Sequence, residues 1–588
     1  MPIFSELDGI INSGLIPVYP PYWRTRCQPR ILIVTDGPLN YQPSDRFGLS
    51  RFIEAIAHHS SATLKPALTL AHRGAHATPV AIAGQVYPVL NSFNYATANP
   101  AVTINNYDQI WMFGVNQVPI GNPEIVTIAN FMNAGGGVFS TGDHADLGSG
   151  MGARLPRIRH MRNWRNASAG GVPMGGEPLP LARERIDTIS NPGVNGAYEF
   201  DDQSDDIPQR IYPNYTVTGP GSGTWAATIH PVLRLPGAAA TRSQADTYTG
   251  SGFNAGLTTF SLDIDVLPDH AHESECFEVS TASNPTVLNG TYNDAGLSFP
   301  EFPTAASGGG RVGAEILAFS VSGGRTVWNS LWKPPVRPRM FGAMSAFDGH
   351  RADPLTIGAA RPGRIMCDAT WHHFVNINLD GIGSSRQGLG SWSGMAFTPS
   401  AQLLKIYKYY QNMVSWLQPS NRVWCNWIID TSIAVERMAN AEELFDVASL
   451  KVDSDFEHFG RLLVAGIDAI GGAGRTLDLL RAAIFEVQGK SNLASLLDPH
   501  TAGLAGVDIA QLVALTLGKT MPSILPQFPV LGDPKFEKPE ASNQLHERLE
   551  STLQKLLPTH LASAAKAQLE KHDAKAKSAK AAIARALA

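Results

Sequence analysis

A chain of 588 residues is too long for one ordinary domain, and 43% hydrophobic with 16% charged residues describes a globular protein with ample core. The formal charge of -5 and the pI near 6.4 give no sign of a nucleic-acid binder, and no apolar run is long enough to span a bilayer. The cysteines Cys27, Cys276, Cys367 and Cys425 form no CxxC, and no N-terminal stretch has the order of a signal peptide, so a cytoplasmic, reducing setting without a zinc ribbon or disulfide scaffold is expected.

Residues 1–29 carry Pro17, Tyr19, Pro20, Pro21, Tyr22 and Trp23 and read as an N-terminal arm. Arg30 to Gly37 is a strong apolar strand that ends in a turn. A helix is expected from Ser44 to His58, with Phe47, Leu49, Phe52, Ile53 and Ile56 on its apolar side, and a second strand from Thr63 to Leu70. Asp108 to Val115 is a further buried strand. Asn122-Pro123-Glu124 then opens a helix, with Asn122 as its cap and Ile125, Ile128, Phe131 and Met132 at helical spacing. Ala134 to Gly137 closes that helix. The next strand, Val138 to Ser140, delivers Thr141-Gly142-Asp143-His144-Ala145-Asp146 at its carboxyl end.

This order predicts a doubly wound, mostly parallel α/β sheet, in which ligands collect beyond the carboxyl ends of the strands. Asp143-His144 is then either part of a working site or a polar loop in which Asp143 caps a turn. The stretch YDQIWMFG…FMNAGGGVFSTGDH resembles the class I glutamine amidotransferase-like superfamily, especially its ThuA-like branch. The similarity spans roughly residues 28–418. Several motifs also resemble an uncharacterised bacterial family that lacks the nucleophilic cysteine. The resemblance implies a flavodoxin/amidotransferase-like fold with a reactive elbow after the glycine turn. Ser140 to His144 holds no cysteine, which counts against glutamine hydrolysis by a thiol, and the resemblance puts His144 near the elbow histidine of ThuA-like members.

The segment Arg154 to Arg165 interleaves basic and apolar residues. Arginine forks bind carboxylate or phosphate, so Arg157 and Arg159 are candidate clamps for an anionic substrate group. The alternative is a solvated basic face paired with Asp201, Asp202, Asp205 and Asp206. Residues 166–260, rich in Gly, Pro, Ser and Asn, read as an insertion or lid, with His230-Pro231-Val232-Leu233 starting a turn or helix. Leu262 to Glu275 gathers Asp269, His270, His272 and Glu273. In extended backbone His270 and His272 share one face, and imidazoles with a carboxylate suit Zn, Mn or Fe(II). Val312 to Val321 reads as a strand. In the stretch Gly363 to Leu379, the strand Ile365 to Cys367 opens into Asp368, Thr370, Trp371, His372, His373, Asn376 and Asn378. The resemblance implies a late strand ending in a catalytic histidine, here His372 or His373, whereas residue types alone also allow a packed surface pair. Ser400 to Leu417 is a helix that closes a 30–420 α/β domain. Residues 421–530 read as a helical region and 531–588 as a linker with a basic Ala/Lys-rich helical tail.

Each polar cluster follows an expected strand, so a parallel sheet brings them to one edge. The favoured expectation is a metal-assisted hydrolase acting on a small molecule or carbohydrate. A divalent ion of the Zn type is held by His270 and His272 with one or two of Asp143, His144 and His373. Asp143 or Glu273 is the general base and His372 serves the leaving group. Arg157, Arg159 and Trp371 bind substrate. The rival is a non-catalytic binding or scaffold protein whose C-terminal helices mediate homo-oligomer assembly. Pairing of histidines with carboxylates favours the enzyme. A cysteine hydrolase using Cys276 or Cys367 is disfavoured and predicts inactivation by iodoacetamide.

Overall fold

The structure, a computed structural model, describes residues 27–62, 64–143, 147–164, 208–218, 226–235, 264–269, 275–306, 310–322, 339–353, 361–383, 388–394, 396–422, 450–471, 475–488, 507–524 and 539–587, with residues 425, 427–428, 430–431, 434 and 497. The described residues fall into two compact units. The first is drawn from residues 28–214 and 250–419, and the second from Cys27, 215–249 and 420–588. Nearly all of the expected N-terminal arm lies outside the described residues.

One mixed sheet of ten strands organises the first unit. In chain order they are β1 (Arg30–Thr35), β2 (Ala67–His72), β3 (Val89–Leu90), β4 (Gln109–Phe113), β5 (Gly137–Thr141), β6 (Gln209–Pro213), β7 (Val266–Leu267), β8 (Ala314–Ser322), β9 (Arg339–Phe347) and β10 (Ile365–Asp368). Their spatial order is β7-β6-β8-β9-β10-β5-β4-β1-β2-β3. From β10 to β3 all neighbours are parallel, and from β10 through β9, β8, β6 and β7 they are antiparallel. Thus Gln209–Pro213, inside the stretch read as an insertion, is a strand of the main sheet.

The parallel strands read as apolar runs because both faces are covered. The strands β4, β5 and β10 are buried along their whole length. Taken by order along the chain, β2-β1-β4-β5-β10 is the arrangement 2-1-3-4-5, which reverses direction between β1 and β4. Right-handed crossovers on either side of that reversal send their helices to opposite faces. Helix α1 (Ser50–Ile53, continuing as a π-helical turn Glu54–His58) follows β1, and α2 (Asn122–Asn133) follows β4. Helix α3 (Ala401–Trp416) lies beside α1, with the Phe52 and Tyr410 rings 5.0 Å apart and Gln411 Nε2 donating to Ala55 O at 3.0 Å. Phe374 fills the space between these helices and the sheet, its ring 5.3 Å from Phe52 and Phe113 and 5.2 Å from Phe139. That anchor fixes the two histidines that precede it.

Two helix starts differ from the sequence reading. Helix α1 begins at Ser50 rather than Ser44, because residues 40–49 close on themselves through Asn40 N to Phe47 O and Leu49 N to Asn40 O. The buried Asn376 takes over the helix start, its Oδ1 accepting from Arg51 N at 3.1 Å and Ser50 Oγ at 3.2 Å. Helix α2 is capped at Gly121 rather than Asn122, with Glu124 Oε2 accepting from Gly121 N at 3.1 Å.

The second unit contains a hairpin of Tyr215–Thr218 with Ala226–Ile229, and a turn Pro231–Leu233 capped by His230. Its long helices are α4 (Asp453–Gly471), α5 (Arg475–Gln488), α6 (Ile509–Thr520) and α7 (Pro539–Leu587). Helices α4 and α6 approach closely where glycine permits it: a Cβ at Gly460 would overlap the Ala514 carbonyl, and one at Gly518 the Phe456 carbonyl. Leu545, Leu549, Leu553, Leu557 and Leu561 of α7 are buried at a spacing of one residue per helical turn. Cys27 and Cys425 form a disulfide across 398 residues. This corrects the expectation of four reduced cysteines; a pairing between such distant positions leaves no spacing pattern to read. Among the described residues no helix is long and apolar enough to cross a membrane.

Candidate functional site

Strands β5 and β10 run side by side in register, Thr141 opposite Asp368, so the residues that leave their carboxyl ends emerge together. Two residues beyond each end stand Asp143 and Thr370. Thr370 Oγ1 donates to Asp143 Oδ1 at 2.9 Å and accepts from His372 N at 3.1 Å, which starts the short 3-10 turn Trp371–His373. Trp371 N donates to Gly142 O at 2.8 Å and locks the two loops together. His372 Nε2 then lies 3.5 Å from Asp143 Oδ2. Its other nitrogen, Nδ1, meets Asn378 Oδ1 at 3.0 Å, and its ring stacks on Trp371 with centroids 4.2 Å apart.

The Asn378 oxygen opposite Nδ1 suits the tautomer protonated there, which leaves Nε2 able to exchange a proton. It does so in front of a buried carboxylate. The 3.5 Å gap is longer than a formed hydrogen bond. A proton arriving at Nε2 is held by Asp143, and the His372 side chain keeps 13% of its surface open. The arrangement can serve proton exchange, with Asn378 orienting the ring and Asp143 facing Nε2.

The adjacent His373 is built differently. It is fully buried, its Nδ1 is 2.5 Å from Asp368 Oδ1 and its Nε2 is 2.5 Å from Asp269 O. Tyr409 Oη donates to Asp368 Oδ2 at 2.7 Å, Thr370 N donates to Oδ1 at 3.2 Å, and Tyr410 Oη donates to His373 O. Both ring nitrogens are occupied by protein partners, so the ligand role expected of His373 has no open nitrogen here. The residue cross-links the site.

Beneath both loops lies Arg162, also fully buried. Its Nη2 donates to Asp143 O at 2.8 Å and Ala369 O at 2.7 Å, its Nε to Asp368 O at 3.1 Å, and its Nη1 to Asn163 O at 2.8 Å. Burial pushes its guanidinium pKa down, against the pull of the nearby Asp143 and Asp368 charges. Gly142 is required beside it, since a Cβ there would overlap the Leu147 carbonyl and crowd Arg162 Nη1. Arg162 belongs to the basic segment of the sequence, but nothing in that pattern separates it from its neighbours. Tyr409 likewise looks like an ordinary helix residue.

Members of all three sequence clusters meet at this edge: Asp143, Thr370 to His373, and Asp269, whose carbonyl touches His373. Glu275 O accepts from Asn163 N at 2.9 Å, so both described residues flanking 270–274 are tied to the same edge. His144, His270, His272 and Glu273 lie outside the described residues. Among the described residues no three His, Cys, Asp or Glu side chains form a metal-ligand set.

The expected anion clamp is corrected. Arg159 is paired with Glu301, Nη2 to Oε2 at 2.7 Å, and Arg157 donates its backbone N to Glu301 Oε1 at 2.7 Å and its Nη2 to Asn133 Oδ1 at 2.9 Å. Burial pulls the Glu301 pKa up, but hydrogen bonds from His160 and Arg159 outweigh it and hold the carboxyl at about 2. Burial draws the Arg157 guanidinium down to about 10. For Arg159 the anion is the protein's own, and the Arg157 guanidinium is sealed inside, its Nε donating to Glu301 O at 2.8 Å. Asp201 to Asp206, the alternative partners, lie outside the described residues.

Cys276 and Cys367 are buried, and burial pushes both thiols well up, which removes them as nucleophiles. The reversal point between β1 and β4 is occupied by Asp36, whose Oδ1 accepts from Val115 N at 2.6 Å and Asn116 N at 3.0 Å. No family model matches the chain, and neither the curated proteins nor the solved structures give a match.

Proposed function

We propose that the chain is a hydrolase of small molecules whose acid–base pair is His372 and Asp143. The observation that carries this is His372 Nε2 held 3.5 Å from a buried carboxylate at the carboxyl edge of two parallel strands, with its other nitrogen engaged by Asn378. In this reading Glu273 removes a proton from water. His372 Nε2 delivers a proton to the leaving group, and Asp143 holds the imidazolium that forms before transfer. Arg162 keeps both loops at fixed separation. His270 and His272, with His144 and Asp143, would hold a divalent ion of the Zn type, which supplies a bound water of lowered pKa. Asp143 is an oxygen donor of the kind such a set needs. The strand order 2-1-3-4-5 is that of a flavodoxin-like doubly wound sheet, on which this reading places histidine chemistry instead of a thiol. The Cys27–Cys425 disulfide favours an oxidising compartment over the cytoplasmic one.

Elemental analysis of untagged protein tests the metal part, comparing wild type with the His270→Ala/His272→Ala variant. Near-stoichiometric metal that disappears in the variant supports it. No metal in either protein moves the reading to a metal-free pocket. The rival, a binding module assembled through its C-terminal helices, is favoured by the aromatic pair Phe47 and Trp371, whose rings meet edge to face at 5.6 Å beside His372. It predicts saturable ligand binding without turnover by any His372-containing form.

A further inference from the structure

The loop between β1 and α1 is held against the site by a set of hydrogen bonds from Asn376 and Ile377. Asn376 is fully buried. Its Nδ2 donates to Asp45 O at 2.9 Å and Gln42 O at 3.2 Å, and its backbone N donates to Gly48 O at 2.9 Å. Ile377 N donates to Arg46 O at 2.9 Å. Gly48 is required at this seam, since a Cβ would overlap the Gln42 carbonyl and crowd Asn376 Nδ2. Residues 46–48 are therefore stitched to the segment that carries His372, and what they present stands at a fixed place beside it.

They present a charge and a ring. The Phe47 ring meets Trp371 edge to face at 5.6 Å, and Trp371 stacks on His372. The Arg46 guanidinium lies over Phe47 at 4.8 Å, is exposed, and has no ion pair among the described residues. A second observation is independent of this wall. Trp371 is 5% exposed, yet its Nε1–H has no hydrogen-bond partner among the described residues. A buried donor left without an acceptor costs free energy, and at a candidate site it marks where a ligand acceptor belongs.

We propose that Arg46, Phe47 and Trp371 form the substrate-binding wall of the site, and that they select a small substrate bearing a carboxylate or phosphate joined through an apolar spacer to the bond that is cleaved. This rests on the hydrolase reading above. The guanidinium pairs with the anion, the spacer lies on Phe47, and Trp371 Nε1–H donates to an oxygen next to the reacting centre. Arg46 takes the role that the sequence suggested for Arg157, which is fully buried, and for Arg159, which is paired with Glu301. Asn376 is a positioning residue that acts through the loop.

The test is isothermal titration of the full chain with 3-phenylpropionate, benzylphosphonate and the neutral 3-phenylpropanamide. Wild type is expected to bind at least one of the two anions about tenfold more tightly than the amide, as a charge-assisted pair does. The tighter anion assigns the group as carboxylate or phosphate. Arg46→Ala loses the discrimination, Phe47→Ala weakens the anions and the amide alike, and Trp371→Phe, which keeps a ring but lacks the N–H, weakens binding about tenfold. Arg461→Ala, an exposed arginine of the second unit, leaves binding as in wild type. No saturable binding by wild type, equal binding of anion and amide, or unchanged discrimination in Arg46→Ala overturns the proposal. Failure of the hydrolase reading shows separately, as His372→Ala protein that keeps full turnover of ester substrates while ligand binding still depends on Arg46.

Discussion

Two carboxylates stand at the same edge of the sheet and do opposite work. Asp36 follows β1 at the point where the strand order reverses, the usual seat of a ligand in such sheets. Its Oδ1 is engaged by two backbone N–H groups after β4, and burial raises its pKa. Asp143 follows β5, two strands away, where its partners are a hydroxyl and a titratable imidazole. An acid that answers backbone donors holds loops together, whereas one that faces an imidazole with an open side can manage a proton. Position in the topology alone points to Asp36, and the partners of each acid tell the two apart.

The largest effect that would break this contrast is kinetic. Replacing His372 by Ala is expected to lower hydrolytic turnover by about a thousandfold, within the range of general acid–base catalysis, with the circular dichroism spectrum unchanged. Asp36→Ala should leave turnover per folded molecule as in wild type.

A third carboxylate sharpens the comparison through pH. Glu301 is held at about 2, below its ordinary 4.5, so its contribution is complete above pH 4.5 and is lost as pH falls through about 2. That contribution is about 3 kcal/mol, and urea melts of Glu301→Gln should show it missing at pH 7 with a flatter acid limb. Asp36 has the opposite sign. Its pKa is raised by burial from 3.8, so its contribution is complete below that value and is lost as pH rises through the raised one. Asp36→Asn, which keeps an oxygen acceptor for both backbone donors, should be close to neutral in a urea melt at pH 7. Asp36→Ala, which leaves them unanswered, should cost about 2 kcal/mol. Smallest of all is the effect of iodoacetamide on native protein, expected to be none on turnover, because Cys276 and Cys367 are buried as thiols. Rapid inactivation would return the cysteine hydrolase to consideration.

Much of this was legible in the residues. Apolar runs marked β1, β4, β5 and β10, since strands buried on both faces leave no alternation to misread. The polar residues after β5 and β10 were legible because chemistry-bearing side chains after such runs are rare. Roles were harder to read. His372 and His373 are neighbours of one type, and the partners from Asn378, Asp368 and Asp269 separate the partly open ring from the sealed one. Arg157, Arg159 and Arg162 looked alike, and distant Glu301 and the strand-end carbonyls divide them. The true start of α1 depended on Asn376, more than three hundred residues away. Roles of this kind are set by contacts far apart in the chain, which local pattern does not encode.

The account turns on the His372–Asp143 pair, and the most direct test is turnover. Wild type, His372→Ala and Asp143→Asn would be compared on a panel of p-nitrophenyl esters, anilides and phosphoesters. The account predicts turnover of at least one class by wild type, reduced a hundredfold or more in both variants with folding intact. Equal rates in all three proteins, or no turnover of any class by metal-replete wild type, would contradict it.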